Sequence, residues 1–86
     1  MAVVFVPALL RPLAGGAERV RASGATLSDV IEDLDRQHPG IRDRLLDGRE
    51  IRSEIALAVD GSEAADLGTP VGEDAEVHIL PAIAGG

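Results

Sequence analysis

The hydrophobic positions along this chain change period several times. Residues 2–10 (AVVFVPALL) form a continuous apolar run, rich in β-branched residues and too short for a helix of its own, which predicts a first strand. Pro7 falls late in that run, so one edge must lack a ladder bond there. Ala14-Gly15-Gly16-Ala17 is a turn signal, and Glu18 to Ala22 (ERVRA) alternates charged and apolar, as a half-exposed second strand does. The period then lengthens. Leu27, Val30, Ile31 and Leu34 recur at i, i+3, i+4 and i+7, the spacing of one apolar helical stripe. Thr26 stands where an N-cap belongs, and Asp29 follows three residues on in a capping-box arrangement. Asp29, Glu32 and Asp33 lie toward the positive end of the helix dipole. His38-Pro39-Gly40 ends the pattern.

Beyond the helix, Ile41, Leu45 and Leu46 predict a short second helical turn packed back on the core. Asp47 to Glu54 (DGREIRSE) reads as a charged loop. Ile55 to Val59 (IALAV) reads as a third strand, closed by the turn pair Asp60-Gly61. Residues 62–70 read as loop with room for one short strand, and Val71-Gly72-Glu73-Asp74 as a turn. Ala75 to Leu80 (AEVHIL) alternates like a last strand, with Val77 and Ile79 on one face, and Pro81 is expected to end its pairing. The order is strand, strand, helix, strand, strand. One amphipathic helix must cover one face of a mixed sheet of four to five strands, with the most apolar strands, first and last, at its centre. That is an α+β architecture, a β-grasp roll over residues 1–81, followed by a flexible tail over residues 82–86.

Length and composition narrow what such a roll can do. A single domain of 86 residues buries little more than ~60% of the surface of its unfolded chain. It has little room for an enclosed small-molecule pocket of ~300–1,000 Å³. The hydrophobic fraction of 45% and charged fraction of 27% are those of a folded protein, but Phe5 is the only aromatic residue, so Val, Ile, Leu and Ala must build the core. The net charge of −7 disfavours nucleic acid and favours partners with basic surfaces. There is no Cys, hence no disulfide, thiolate metal site or cysteine nucleophile. All eight basic residues are Arg, so no lysine amine is present for self-modification. Residues 1–10 lack the basic n-region of a signal peptide, and no apolar run approaches a membrane span, so a cytoplasmic location and no membrane partner are expected.

The distinctive chemistry lies at the end, Pro81-Ala82-Ile83-Ala84-Gly85-Gly86. At an average glycine usage of ~7%, two glycines in the last two positions arise by chance in about one chain in 200. A terminal carboxylate has a pKa of about 3.3–3.7, so at neutral pH it is an anion and a poor electrophile. Making it reactive requires attachment of a good leaving group, such as AMP from ATP, in another protein's narrow site. Glycine suits that passage: without Cβ, the backbone at Gly85 and Gly86 can approach a nucleotide closely. Pro81 would stiffen the root of the tail. Gly86 is therefore the candidate reactive residue, and Gly85, Ala84, Ile83 and Pro81 its presenting tail.

Three stretches carry a family resemblance: Thr26-Leu27-Ser28-Asp29-Val30-Ile31, Val71-Gly72-Glu73-Asp74-Ala75-Glu76-Val77, and Ile79-Leu80-Pro81-Ala82-Ile83-Ala84-Gly85-Gly86. The chain resembles the ubiquitin-like sulfur carriers, which include the molybdopterin synthase small subunit and the thiazole-synthesis carrier. Val6-Pro7-Ala8-Leu9-Leu10-Arg11-Pro12 with Gly15-Gly16, and Arg21-Ala22-Ser23-Gly24-Ala25-Thr26-Leu27, are similar to the cysteine-biosynthesis branch. Molybdopterin-type carriers tend to have two prolines where this chain has Pro81-Ala82. The resemblance implies a non-catalytic co-substrate. A ubiquitin-activating-like adenylyltransferase/sulfurtransferase would adenylate Gly86 using ATP and Mg, and sulfur would replace AMP to give a C-terminal thiocarboxylate. A pyridoxal-phosphate cysteine synthase or another acceptor would take the sulfur, and a zinc metallopeptidase would release cysteine. The carrier itself would hold no cofactor. The alternatives are a molybdopterin synthase small subunit and a protein modifier conjugated to lysines.

Strand alternation also suggests a docking face. With Val4, Val6, Ile55, Leu57, Val59, Val77 and Ile79 inward, Phe5, Ala58 and Leu80 point outward and would form an exposed apolar patch near the tail. His38 reads as a helix-end residue and His78 as an exposed strand residue. With no Cys and no paired His on a helix, no metal site is expected.

Overall fold

The computed structural model describes residues 1–82. Its elements in chain order are β1 (Ala2–Phe5), a 3-10 segment (Ala8–Ala14), β2 (Arg19–Ala22), α1 (Leu27–Gln37), α2 (Ile41–Leu45), β3 (Leu46–Asp47), β4 (Glu50–Ile51), β5 (Ile55–Val59), β6 (Ser62–Glu63) and β7 (Glu76–Pro81). The main sheet has five strands in the order β2-β1-β7-β5-β6. β1 and β7 pair in parallel, and the other pairs are antiparallel. The mixed sheet expected from the sequence is therefore present, with β7 at its centre and β1 beside it.

Alternation along the strands sends one set of side chains into the core. Val4 and Val6, Val20, Leu57 and Val59, Val77 and Ile79 are all buried. α1 lays its stripe over them: Leu27, Val30, Ile31 and Leu34 are at most 2% exposed. Ile41 and Leu45 of α2 close the same core.

The start of α1 is held firmly. Thr26 is its N-cap, and its Oγ1 accepts from the Asp29 amide at 3.3 Å. The amides of Leu27 and Ser28, which have no partner inside the helix, donate to the carbonyls of Thr69 and Leu67 at 3.0 Å each. Gly24 packs against this turn so closely that a Cβ there would lie 2.6 Å from Asp29 Cβ and from the Val30 amide nitrogen. One turn further on, Asp33 accepts from the Ser23 amide at 3.0 Å and from Arg36 at 3.1 Å. The Ser23 backbone donor first, then Arg36, hold its carboxyl below the ordinary aspartate range.

Three expectations are corrected. The predicted first strand over 2–10 ends at Phe5, and residues 8–14 coil into the 3-10 segment. Pro7 and Pro12 remove two ladder donors, while the Pro7 carbonyl accepts from Leu10 at 2.9 Å, and coiling buries Leu10 and Ala14 together. Gly15 ends the segment in a left-handed conformation (φ 64°). The charged stretch 47–54 is not all loop: Leu46 pairs with Ile51 and Asp47 with Glu50, which packs Ile51 on the core. The last strand runs one residue later than expected, and Pro81, expected to end its pairing, is itself paired with Ile55.

That third correction has a clear cause in the ladder. β5 and β7 pair Val59 with Val77, Leu57 with Ile79 and Ile55 with Pro81. The bonds Asp60 N–H to Glu76 O and Ala82 N–H to Glu54 O, both 2.9 Å, bracket the strand. Alternate residues of an antiparallel strand turn their amides away from a given neighbour, and Pro81 occupies such a position. The β1–β7 register reaches only Phe5 opposite His78, so no ladder bond to that neighbour is lost at Pro81.

Candidate functional site

The C-terminal end of β7 is where the sheet delivers the chain's last residues. Ile83, Ala84, Gly85 and Gly86 lie outside the described residues. Pro81 is exposed at the end of β7, and Ala82 is half-buried with its amide bonded to Glu54. The root of the tail is thus a registered extension of the central strand, fixed on one side by β5.

The proposed outward patch divides on inspection. Phe5, His78 and Ala58 form one cross-strand row, because His78 pairs with Phe5 on one side and Ala58 on the other. Phe5 is half-buried. The His78 ring lies against it with centroids 4.3 Å apart and planes 5° from parallel, and the Arg19 guanidinium stands 5.5 Å from its centroid. Ala58 is on the expected face but only 9% exposed, a correction to its expected exposure. Flanking strands contribute larger side chains on both sides of it, His78 and Glu63. Leu80, paired with Ala56, is 44% exposed as expected.

The outer face is therefore a mixed surface rather than an apolar one. Leu80 and Phe5 supply carbon, and Arg19, Arg11, Glu18 and Glu76 supply charge. Glu76 Oε1 lies 3.6 Å from His78 Nε2, and Arg11 is fixed by donating from Nε to the Val6 carbonyl at 3.0 Å. A shallow cleft of about 280 Å³ runs over this face from Phe5 and His78 to Leu80 and Pro81. A second cleft, about 400 Å³ and more apolar, adjoins it at Pro7, Leu80 and Pro81 and is lined by the 3-10 segment. Sequence reasoning did not single out Leu9, which lines that second cleft and is 80% exposed. No sequence signal separates Leu9 from Leu10, since Leu9 and Leu13 are spaced i, i+4 just as Leu10 and Ala14 are, and only the packing of the segment turns Leu9 out.

The root is held in the sheet through Ala82, the sequence has no cysteine, and its last two residues are Gly85 and Gly86. The arrangement matches known proteins across the whole chain. The ThiS family model matches residues 4–86. The sulfur carrier protein CysO of Mycobacterium bovis is 37% identical over 89 aligned residues, covering 96% of each chain. A chain in the crystal structure of the Amycolatopsis orientalis BexX/CysO complex superposes with a TM-score of 0.92 at 32% identity, covering 100% of both chains. The crystal structure of Mycobacterium tuberculosis CysO superposes with a TM-score of 0.90 at 34% identity, covering 96% of this chain and 100% of that one. A family model matched over residues 4–86 and a sulfur carrier 37% identical over 96% of the chain place this chain in the ThiS family of ubiquitin-like sulfur carriers.

Proposed function

We propose that this chain carries sulfur as a thiocarboxylate on Gly86, for cysteine biosynthesis or a sulfur-containing secondary metabolite. The observation that supports this most is the continuity of β7. The central strand of the sheet stays paired through Ala82, four residues before Gly86, in a chain of the ThiS family. A root held in the sheet lets a partner locate the reactive end without ordering the whole tail from scratch.

The chemistry that fits is acyl activation followed by sulfur substitution. A carboxylate oxygen of Gly86 attacks the α-phosphorus of ATP, forming an acyl adenylate and releasing pyrophosphate. A sulfur nucleophile at the sulfide level attacks the carbonyl carbon, and AMP leaves with the oxygen it gained. The product is a thiocarboxylate, a soft nucleophile. ATP and Mg belong to the activating partner, an adenylyltransferase/sulfurtransferase, and this chain contributes the carboxyl group and a docking surface. The outer face around Phe5 and Leu80 is the surface offered to that enzyme. A pyridoxal-phosphate cysteine synthase, or another sulfur-accepting synthase, takes the sulfur, and a zinc metallopeptidase releases the product. The BexX/CysO complex supports the acceptor step in kind, since a CysO superposing on this chain along its full length forms a crystallisable complex with a second protein.

Mass analysis of the intact protein from its native cells tests the proposal. A carrier shows a species in which one oxygen is replaced by sulfur. Ladders of lysine conjugates would instead identify a modifier, and co-purification with a molybdopterin synthase large subunit would redirect the pathway.

A further inference from the structure

Resting on the carrier reading, we propose a second docking surface: the cleft between the 3-10 segment and the root of the tail, occupied by an aliphatic side chain of the enzyme that adenylates Gly86. This cleft shares Pro7, Leu80 and Pro81 with the one over the outer sheet face and is lined beyond them by the 3-10 segment and β5.

Chain length brings the enzyme here. Gly86 is four residues beyond Ala82, and an extended chain spans at most ~3.3–3.6 Å per residue, so its carboxyl lies within about 14 Å of Ala82. An ATP site must come that close for its α-phosphorus to bond the carboxylate oxygen. The enzyme walls around the site must therefore rest on the surface surrounding Ala82. The Ala82 amide donates to Glu54 O, and Glu54 and Pro81 both line this cleft, so the last described residue lies beside it.

The walls of the cleft select what enters. Leu9 and Leu10 of the 3-10 segment line it together with Ile55 of β5 and Leu80 of β7, around a volume of about 400 Å³. Among the described residues three large apolar side chains are strongly exposed, Met1, Leu9 and Leu80, and two of them meet here. Arg44 and Glu54 sit at the rim with opposite charges, so neither sign of partner charge is favoured at its mouth. An uncharged aliphatic group matches both the walls and that balance. The outer face differs in kind, with its stacked Phe5–His78 pair and its ring of charge.

Leu9 is the residue to vary, since at 80% exposure it contributes little to the core. Adenylation by the cognate activating enzyme is followed with ATP and Mg while the concentration of carrier is varied. Leu9→Glu and Leu9→Arg are each expected to raise the KM for the carrier about tenfold, with kcat and melting temperature unchanged, and Leu9→Met to behave as wild type. A KM within twofold of wild type for both charged variants overturns the proposal, whatever happens at later sulfur transfer. Loss with Leu9→Glu alone also overturns it, by showing a response to charge rather than to apolar contact. A concentration-dependent dimer dissolved by Leu9→Glu with adenylation unchanged assigns the cleft to a second copy of the chain instead. Failure of the wild-type protein to be adenylated at all refutes the carrier reading, and this proposal with it.

Discussion

The His78 ring lies flat on Phe5, with centroids 4.3 Å apart, and so ties the parallel pair β1–β7 together on the face opposite α1. Cross-strand aromatic contacts of this kind add roughly 0.5–1.5 kcal/mol beyond the area they bury. The half-exposed edge of Phe5 remains available to a partner. Replacing Phe5 with Asp is expected to leave the fold intact with a modest drop in melting temperature. It should raise the KM for the carrier in adenylation roughly tenfold, about 1.4 kcal/mol. Steady-state kinetics beside a thermal melt checks this, and an unchanged KM removes the outer face from the docking account.

The Ala82 amide makes a different prediction. Its bond to Glu54 O is one that proline cannot make. Ala82→Pro should cost about 0.5–1.5 kcal/mol. For a domain of this size that is a fall in melting temperature of several degrees, at ~4–8 °C per kcal/mol. The KM in adenylation should rise severalfold, because the root is no longer held against β5. An unchanged melting temperature would show that the bond contributes nothing in solution.

Much of this was legible beforehand, for reasons visible in particular residues. The stripe Leu27-Val30-Ile31-Leu34 and the cap Thr26 define α1 because periodicity and capping are local properties. Val77 and Ile79 give β7 in the same way. The 3-10 segment was hidden because Pro7-Ala8-Leu9-Leu10 continues an apolar run, and only tertiary burial of Leu10 and Ala14 decides that the run coils. Pro81 misled because its effect depends on which neighbour its missing amide would have faced, a property of register and not of sequence. Ala58 points the expected way, but its exposure depends on the longer side chains beside it. The candidate reactive end was read from the two glycines and the preceding strand, and Gly85 and Gly86 lie outside the described residues.

Asp33 gives the molecule a pH dependence with a definite sign. Its carboxyl is held below the ordinary range chiefly by the Ser23 amide, so its charged form is stabilised in the folded state. That contribution is complete above the unfolded-chain value of about 3.9 and is lost as pH falls through the lower folded value. Denaturant unfolding of wild type and Asp33→Asn between neutral pH and strong acid should show a constant gap at neutral pH that narrows below about pH 4. A gap that widens on acidification would contradict the assignment.

Gly24 is expected to tolerate no side chain. A Cβ 2.6 Å from both Asp29 Cβ and the Val30 nitrogen meets the first turn of α1, which is itself tied to Thr69 and Leu67 and has little freedom to retreat. Gly24→Ala should destabilise the domain by about 1–3 kcal/mol, read from its denaturant midpoint. A midpoint within error of wild type would mean that the turn shifts more readily than this packing allows.

The most direct test of the carrier account is the intact mass of the purified chain after incubation with the cognate activating enzyme, ATP, Mg and sulfide. The account predicts that the full-length protein gains the mass difference between sulfur and oxygen, and that a chain lacking Gly86 does not. A full-length protein whose mass never changes, or a truncated one that gains sulfur equally well, would contradict it.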